Sequence, residues 1–287
     1  MNIEVKGHSG CQIDVVREDG GLYVYKSTRD KGYLERLCLQ GLKQQEAAKL
    51  ELQHIRVPEI YEIRRTDDSV ILKMEYVYSK NFVGYFERAG FEQIDYFIKA
   101  LCLFLDYEIH NSEIQTVKAD VIKGKFDDVN RKTLQNPMLK NDVEVAEILS
   151  CSAERFASVG DMSMPVGKCH GDLTFSNILF NGNNYYLIDF LDSFVESPLL
   201  DIVKIRQDSA FLWSQLMFSG DCDGLRLRIV ADKIDKEIVR YATQYEWFNQ
   251  YYSLFQLMNF LRVLQYAKEQ KVIDYLKHII KQLLNEF

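Results

Sequence analysis

One segment of the chain restricts its fold more than any other. Residues 169–193 read CHGDLTFSNILFNGNNYYLIDFLDS. Two short apolar stretches, ILF and YYLI, have the character of strands, and the glycine-containing turn Asn181-Gly182-Asn183-Asn184 separates them. Polar residues stand just before the first stretch and just after the second. The segment therefore predicts a β-hairpin with polar side chains at its two outer ends.

The polar residues around this hairpin suit phosphoryl transfer. Asp172 is followed by Asn177 five residues later and by Asp189 twelve residues beyond that. The reaction needs a carboxylate that accepts the proton of the attacking hydroxyl, and oxygen ligands that hold Mg²⁺ against the nucleotide phosphates. Asp172, which is ionised at neutral pH, is the candidate catalytic base, and Asn177 and Asp189 are the candidate metal ligands. The alternative is that these side chains only form turns.

The pattern HGDxxxxN followed by IDFxD resembles the aminoglycoside phosphotransferase and choline kinase family. The resemblance implies a protein-kinase-like α+β fold of two lobes: a small five-stranded antiparallel β lobe with one helix, and a larger, mainly helical lobe. It also implies that Asp192 is a ligand of a second metal ion, unless it is a turn residue. His170 would be a packing and hydrogen-bonding element. Asp201 would hold the catalytic loop from the next helix, with a helix N-cap as the competing interpretation.

The sequence before the motif has the order of a kinase amino-terminal lobe. A helix is predicted over residues 31–50, with a candidate break at Gly41, between the third and fourth of five predicted strands. We therefore expect a nucleotide-binding lobe over residues 1–77, ending in a hinge, and a catalytic and acceptor-binding helical lobe over residues 78–287. The strands are expected at residues 2–6, 11–17, 22–27, 59–65 and 69–77.

The second lobe shows helical patterns, with one clear β signal in the catalytic hairpin. Helices are expected over Phe91 to His110, Val143 to Val159 and about Ala242 to Gln270. The polar stretch Lys118 to Lys140 is interpreted either as a loop or as a pair of short helices.

Two side chains are candidates for the nucleotide phosphates. Lys26, in the predicted third strand, would reach the α and β phosphates, and Glu46 on the following helix would orient it. Glu35 is the rival of Glu46. An ordinary exposed lysine and a solvated glutamate are the alternatives.

Two backbone segments complete the nucleotide site that the resemblance implies. Gly7 and Gly10 would allow backbone N–H groups to cover the phosphates, although an ordinary hairpin turn explains these glycines almost as well. Met74, Glu75 and Val77 would form the hinge, where the Glu75 carbonyl and the Val77 N–H meet the adenine edge and Met74 borders the base. A plain buried strand end is the alternative.

Charge and cysteine usage exclude some classes of function. With a net charge of −7 and a pI near 5.4, the chain does not have the basic character of a nucleic-acid-binding protein. That balance is easier to reconcile with a cationic or neutral acceptor than with an anionic one. The six scattered cysteines form no CxxC pair and favour free thiols in a reducing cytoplasm, and no targeting or membrane segment is evident.

Together these features predict a kinase that uses ATP, or GTP, with Mg²⁺ to phosphorylate a hydroxyl of a small molecule. By resemblance the acceptor would be an aminoglycoside, an amino alcohol, a sugar or a similar compound. A protein kinase is disfavoured, because His-Gly-Asp replaces His-Arg-Asp and neither Asp-Phe-Gly nor Ala-Pro-Glu follows. A nucleotide-binding scaffold without activity is the alternative of a different class. The sequence does not predict the oligomeric state.

Overall fold

The computed structural model describes residues 3–6 and 11–286. The smaller lobe is a five-stranded antiparallel sheet, with strand order β1-β2-β3-β6-β5. The α+β class and the five predicted strands are therefore confirmed. The strands are β1 Ile3–Lys6, β2 Gln12–Glu18, β3 Gly21–Thr28, β5 Ile60–Arg65 and β6 Val70–Glu75.

One helix, α1 Leu34–Ala47, packs on this sheet. It runs through Gly41 without a break, and a Cβ atom at that position would lie 2.7 Å from the Leu72 Cδ2 atom of β6. Gly41 therefore permits close packing of helix on strand and does not end the helix. Leu37 and Val70 are completely buried in the small core between them.

The larger lobe is built from helices around the main hydrophobic core. The helix predicted over Phe91–His110 is present with those limits as α3. A loop or two short helices are predicted over residues 118–140, but this stretch contains a single helix, α4, that buries Ile122, Phe126 and Val129. The helices are α2 Phe82–Phe86, α3, α4 Ala119–Gln135, α5 Val143–Ala157, α6 Pro198–Ser209, α7 Trp213–Met217, α8 Gly224–Ala242, α9 Glu246–Leu264 and α10 Gln270–Asn285.

The predicted hairpin consists of β9 Ile178–Asn181 and β10 Asn184–Leu187. A strand of two residues, β4 Ile55–Arg56, pairs with β10 in parallel. It is too short to give a periodic sequence signal, and its Ile55 is buried in the core of the larger lobe. A separate pair, β7 Glu113–Val117 and β8 Met162–Val166, is not predicted by the sequence pattern.

The chain enters the larger lobe shortly after β6. Lys80 and Phe180 exchange two backbone hydrogen bonds, of 2.9 and 3.0 Å, which attach this connection to β9. The lobe boundary at residues 77/78 stays a prediction. Among the described residues, no helix combines the length and the apolar character needed to cross a membrane.

Candidate active site

A buried carboxylate from α6 holds the loop that carries Asp172. Asp201 Oδ2 accepts a hydrogen bond from the His170 N–H at 2.6 Å, and Asp201 Oδ1 accepts one from the Gly171 N–H at 2.9 Å. Charge-assisted bonds to successive N–H groups fix the backbone there. Ser197 is the N-cap of α6, so the N-cap interpretation of Asp201 is wrong.

A second buried acid, Glu108 on α3, lies against Asp201. Its Oε1 atom accepts a hydrogen bond of 2.9 Å from the His170 N–H. Burial, and then the neighbouring charge of Asp201, raise the pKa of Glu108 well above its usual range. We therefore expect Glu108 to keep its proton and to share it with Asp201. No sequence signal marks this residue, because a single Glu in a helix is usually solvated.

We expect Glu108→Gln to remove one source of pH dependence from folding. A raised folded-state pKa means that the wild type retains a proton which its unfolded state releases, so wild-type stability falls as the pH rises above about 5. Gln keeps the acceptor for His170 and the donor for Asp201. The stability of the variant relative to wild type should therefore increase by about 1 kcal/mol per pH unit as the pH rises above about 5 toward the raised pKa of Glu108, measured by urea unfolding. A stability difference between Glu108→Gln and wild type that does not change with pH would contradict the protonated state of Glu108.

Gly171 is required where the loop passes the end of the hairpin. Its φ is +84°, and a Cβ atom there would collide with the carbonyl oxygen of Leu191. Both the left-handed conformation and the close approach exclude a side chain. The glycine thus brings Asp172 next to the segment that contains Asp189.

Gly171→Ala should destabilise the protein by about 3 kcal/mol or more, from left-handed strain and overpacking together. Gly20→Ala is the matched control, because Gly20 has φ +82° but no atom within 4 Å of the place that a Cβ atom would take. Gly20→Ala should lower the free energy of unfolding by about 1 kcal/mol. Denaturant unfolding of the two variants measures the difference, and equal losses would refute the packing constraint.

The His170 ring connects the loop to the hairpin. Nδ1 accepts a hydrogen bond from the Asp172 N–H at 3.2 Å, so Nε2 carries the proton and donates to the Ile188 carbonyl at 2.9 Å. Burial lowers the pKa of His170, and the ring packs on Phe190 with centroids 4.2 Å apart. A buried neutral imidazole with both nitrogens engaged has the geometry of a packing element.

Asp172 has two polar partners on opposite oxygens. Asn177 Nδ2 donates to Oδ2 at 3.0 Å, and Lys204 Nζ on α6 lies 3.0 Å from Oδ1. Burial raises the pKa of Asp172, but the charge and hydrogen bond of Lys204 outweigh it, and the net shift is downward. Asp172 is therefore ionised. Sequence reasoning missed Lys204, because its contact with Asp172 depends on how α6 packs against the loop.

Asp189 and Asn177 are brought together by the hairpin. The backbone N–H of Ile188 donates to the Asn177 carbonyl at 3.0 Å. Asp189 adopts the left-handed conformation with φ +64°, which Asp tolerates better than most residues and which is frequent at functional sites. Its Oδ1 atom lies 2.7 Å from Nζ of the buried Lys26, so the structure joins a strand of the small lobe to the hairpin of the large one.

These side chains fit Mg²⁺. Asn177 uses its amide nitrogen for Asp172, which leaves Oδ1 without a partner among the described residues, and Asp189 Oδ2 is likewise without one. In the described part of the chain, no group of three or more His, Cys, Asp and Glu forms a metal site. Mg²⁺ often takes only one or two protein oxygens and completes its shell with phosphates and water. Asp192, 58% exposed, lies 3.7 Å from Lys43, and its role as a ligand stays a prediction.

The prediction that Glu46 orients Lys26 is wrong for this structure. Glu46 lies in the last turn of α1, on its exposed side, and pairs with Lys168. The rival Glu35 pairs with Arg65 at 2.7 Å. Helical spacing turns other residues of α1 inward, and both acids remain at the surface.

A different α1 side chain contacts the large lobe. Lys43 Nζ donates to the Leu191 carbonyl and to Glu196 Oε2, each at 2.6 Å. It therefore ties α1 to the segment that follows Asp189. Sequence reasoning missed Lys43, since its partners lie about 150 residues away in the chain.

The predicted hinge lies at the end of β6. Met74 and Val77 are buried, and the Glu75 N–H donates to the Glu59 carbonyl at 2.9 Å. The Val77 N–H has no hydrogen-bond partner in the part of the chain that the structure describes. Gly7 and Gly10 lie outside the described residues, so their predicted contact with phosphates is untested.

The two-lobed fold is that of kinase-like phosphotransferases. Residues 44–232 match the phosphotransferase enzyme family, which is about two thirds of the chain. The chain therefore belongs to the phosphotransferase enzyme family, whose members are kinases. A comparison with curated proteins found no match.

Solved structures of aminoglycoside phosphotransferases share the fold. The GDP complex of wild-type aminoglycoside 2'-phosphotransferase-IIIa has a TM-score of 0.65 at 13% identity, covering 100% of this chain and 93% of that chain. The GDP and kanamycin complex of APH(2")-IIia has a TM-score of 0.65 at 14% identity, covering 100% and 94%. A thermostable mutant of aminoglycoside phosphotransferase APH(4)-Ia, in its apo form, has a TM-score of 0.63 at 10% identity, covering 100% and 94%. At these identities the similarity shows the fold alone.

Proposed function

We propose that this protein transfers the γ-phosphoryl group of a nucleoside triphosphate to a hydroxyl of a small molecule. The convergence of Lys26, Asp189, Asn177 and Asp172 carries the proposal. The 2.7 Å contact of Lys26 with Asp189 links the two lobes, and Asn177 donates to Asp172 at 3.0 Å. Phosphoryl transfer depends on positioning and electrostatic stabilisation by such a set of groups. Membership of the phosphotransferase family supports the same reaction.

Each side chain has a role that its contacts support. The ionised Asp172 accepts a hydrogen bond from the acceptor hydroxyl and takes its proton late in the transfer. Asn177 holds Asp172 in orientation through its amide nitrogen. Lys26, released from Asp189 when nucleotide binds, donates to the α and β phosphates. His170 and Asp201 keep the loop in place.

Asn177 and Asp189 would hold Mg²⁺, with Asp192 as a ligand for a second ion. When bound, the metal neutralises charge on the β and γ phosphates. The half-exposed carboxylate of Asp189 and the free amide oxygen of Asn177 are hard oxygen donors of the type that Mg²⁺ prefers.

The nucleotide would bind between the lobes, with its base at the hinge. The unpaired Val77 N–H supports this placement, together with the Glu75 carbonyl and Met74. Related folds have been solved with GDP and with ADP, so both ATP and GTP are candidate donors. In the described part of the chain all cysteines are free, which fits the reducing cytoplasm that we propose as its location.

A screen of nucleotide consumption tests this function. Wild-type protein with Mg²⁺ and either ATP or GTP is given a panel of hydroxylated compounds: sugars, sugar acids, sugar phosphates, amino alcohols and aminoglycosides. We expect at least one class to accelerate nucleotide consumption in a saturable manner. Nucleotide binding without acceleration by any class would instead favour a non-enzymatic scaffold.

A further inference from the structure

Two cationic side chains converge on one aromatic ring in the segment after Asp189. The guanidinium carbon of Arg262, on α9, lies 5.4 Å from the centroid of the Phe194 ring. Lys125 Nζ, on α4, lies 6.0 Å from the same centroid. Phe194 is fixed by stacking on Phe255, with centroids 5.9 Å apart. Three separate elements of the large lobe thus meet here.

Neither cation has a carboxylate to itself among the described residues. Arg262 makes no ion pair and no side-chain hydrogen bond among the described residues, although it is partly buried. The nearest carboxylate to Lys125 is Asp128, at 3.8 Å. Two closer cations, Arg131 at 2.6 Å and Lys132 at 2.7 Å, already occupy that carboxylate.

The charges around Arg262 connect this region to the catalytic residue. Burial lowers the pKa of Arg262, the charge of Asp172 opposes that shift, and the charge of Arg36 on α1 adds to it. Burial also lowers the pKa of Lys125; the charge of Arg262 adds to that shift, and the charge of Asp128 opposes it. The charge of Asp172 therefore acts on Arg262. Unpaired buried charge is costly unless an opposite charge arrives.

We infer that Arg262 and Lys125, here called the cationic cluster, bind an anionic group of the phosphate acceptor. The inference rests on the proposed function and names the substrate class of the same site. The acceptor is a small hydroxylated molecule that carries a carboxylate or a phosphate monoester. Its anion binds at the cationic cluster while its hydroxyl meets Asp172.

The cationic cluster predicts an anionic acceptor, whereas the net charge of the chain favours a cationic or neutral one. A total charge of −7 makes a cationic or neutral acceptor easier to reconcile with the chain, but net charge describes the distant field and not a particular cleft. Several of the chain's acids are engaged elsewhere. Asp201 and Asp208 are buried in hydrogen bonds to backbone N–H groups, and Glu196 pairs with Lys43. The cationic cluster is left with an excess of positive charge.

Matched acceptors test the inference. The probes are glucose against gluconate, and glycerol against glycerate and glycerol 3-phosphate, with kanamycin as the cationic probe. Both turnover and binding are measured, the latter by calorimetry with a non-hydrolysable nucleotide present. At least one anionic probe should exceed its neutral partner by about 10-fold or more in kcat/KM and in affinity, as one or two charge-assisted hydrogen bonds allow. The carboxylate and phosphate probes show which anion is preferred.

Arg262→Gln and Lys125→Gln then assign the effect to the cluster. Each should lower kcat/KM for the preferred anionic acceptor by about 10- to 100-fold and leave the nucleotide KM unchanged. The control is Arg240→Gln on α8, which removes one exposed charge paired with Glu237 and should change neither value. Thermal unfolding checks that the variants fold, and removing an unneutralised charge should not lower Tm.

The outcomes distinguish failure of the anionic-acceptor inference from failure of the proposed function. Preference for neutral or cationic probes overturns the anionic acceptor and leaves the proposed function standing. An increase in nucleotide KM, with acceptor KM unchanged, would assign the cluster to the nucleotide and overturn the inference as well. If no probe is phosphorylated, the binding data still decide whether the cluster takes anions, and the broader acceptor screen decides the proposed function.

Discussion

Asp172→Asn is expected to lower kcat by about 10³-fold while the nucleotide Kd stays within about a factor of two. Asn is nearly isosteric with Asp but cannot accept the proton of the acceptor hydroxyl. The loss should therefore appear in the chemical step and not in nucleotide binding. Single-turnover transfer and equilibrium binding of the nucleotide measure the two quantities separately.

The Asp172→Asn substitution has a side effect on Lys204 that needs a control. Asp172→Asn leaves Lys204, whose side chain is only 12% exposed, without its carboxylate partner. An unpaired buried ammonium costs stability, so part of the loss could come from a displaced loop. The double variant Asp172→Asn/Lys204→Met removes that charge and should recover Tm without recovering kcat. Activity within about tenfold of wild type in either variant would contradict the role of Asp172.

Asp189→Asn should weaken Mg²⁺-dependent nucleotide binding by about 100-fold or more and reduce turnover in parallel. The variant removes the carboxylate that pairs with Lys26 and whose Oδ2 atom has no partner among the described residues, while Asn tolerates the left-handed φ of +64°. Binding is measured with Mg²⁺ and with EDTA. In EDTA the difference between wild type and variant should be small.

Asp19→Asn is the matched control for Asp189→Asn. Asp19 is also an Asp with positive φ, at +47°, but it is exposed in the turn between β2 and β3. The same chemical change at Asp19 should leave nucleotide binding unaltered, both with Mg²⁺ and with EDTA. If Asp189→Asn binds the Mg²⁺-nucleotide as tightly as this control does, Asp189 is not the metal ligand.

The contacts that could be predicted from the sequence are those among residues at the ends of the β9–β10 hairpin. Asp172, Asn177 and Asp189 meet because β9 and β10 return the chain to the same place, and that return is visible as two apolar stretches with an NGNN turn. The five-stranded sheet was predictable for the same reason, since alternation and turn residues are local signals.

Contacts between distant elements were not predictable in this way. The spacing from Lys26 favours Glu46, but the rotation of α1 turns Glu46 toward solvent and presents Lys43 to the large lobe. Glu108 and Lys204 reach the catalytic loop only through the packing of α3 and α6. Isolated charged residues on helices carry no sequence signal that separates such roles from ordinary solvation.

The residues that we propose to bind the acceptor were even harder to predict from the sequence. Arg262 and Lys125 come from two different helices and share no motif, so the cationic cluster exists only in the folded chain. Net charge predicted the opposite acceptor charge, because it also counts acids that have other partners, such as Asp201, Asp208 and Glu196. Specificity in such a fold therefore has to be derived from the local field in the cleft.

Transfer of label from γ-³²P-nucleotide tests the catalytic role of Asp172 most directly. Wild type and Asp172→Asn are incubated with Mg²⁺, labelled ATP or GTP, and the acceptor that performs best in the screen, and the products are separated by chromatography. We expect wild type to place the label on the acceptor hydroxyl, while Asp172→Asn binds the nucleotide and transfers none in the same time. Label found only in inorganic phosphate, or equal transfer by both proteins, would contradict a phosphotransferase that depends on this carboxylate.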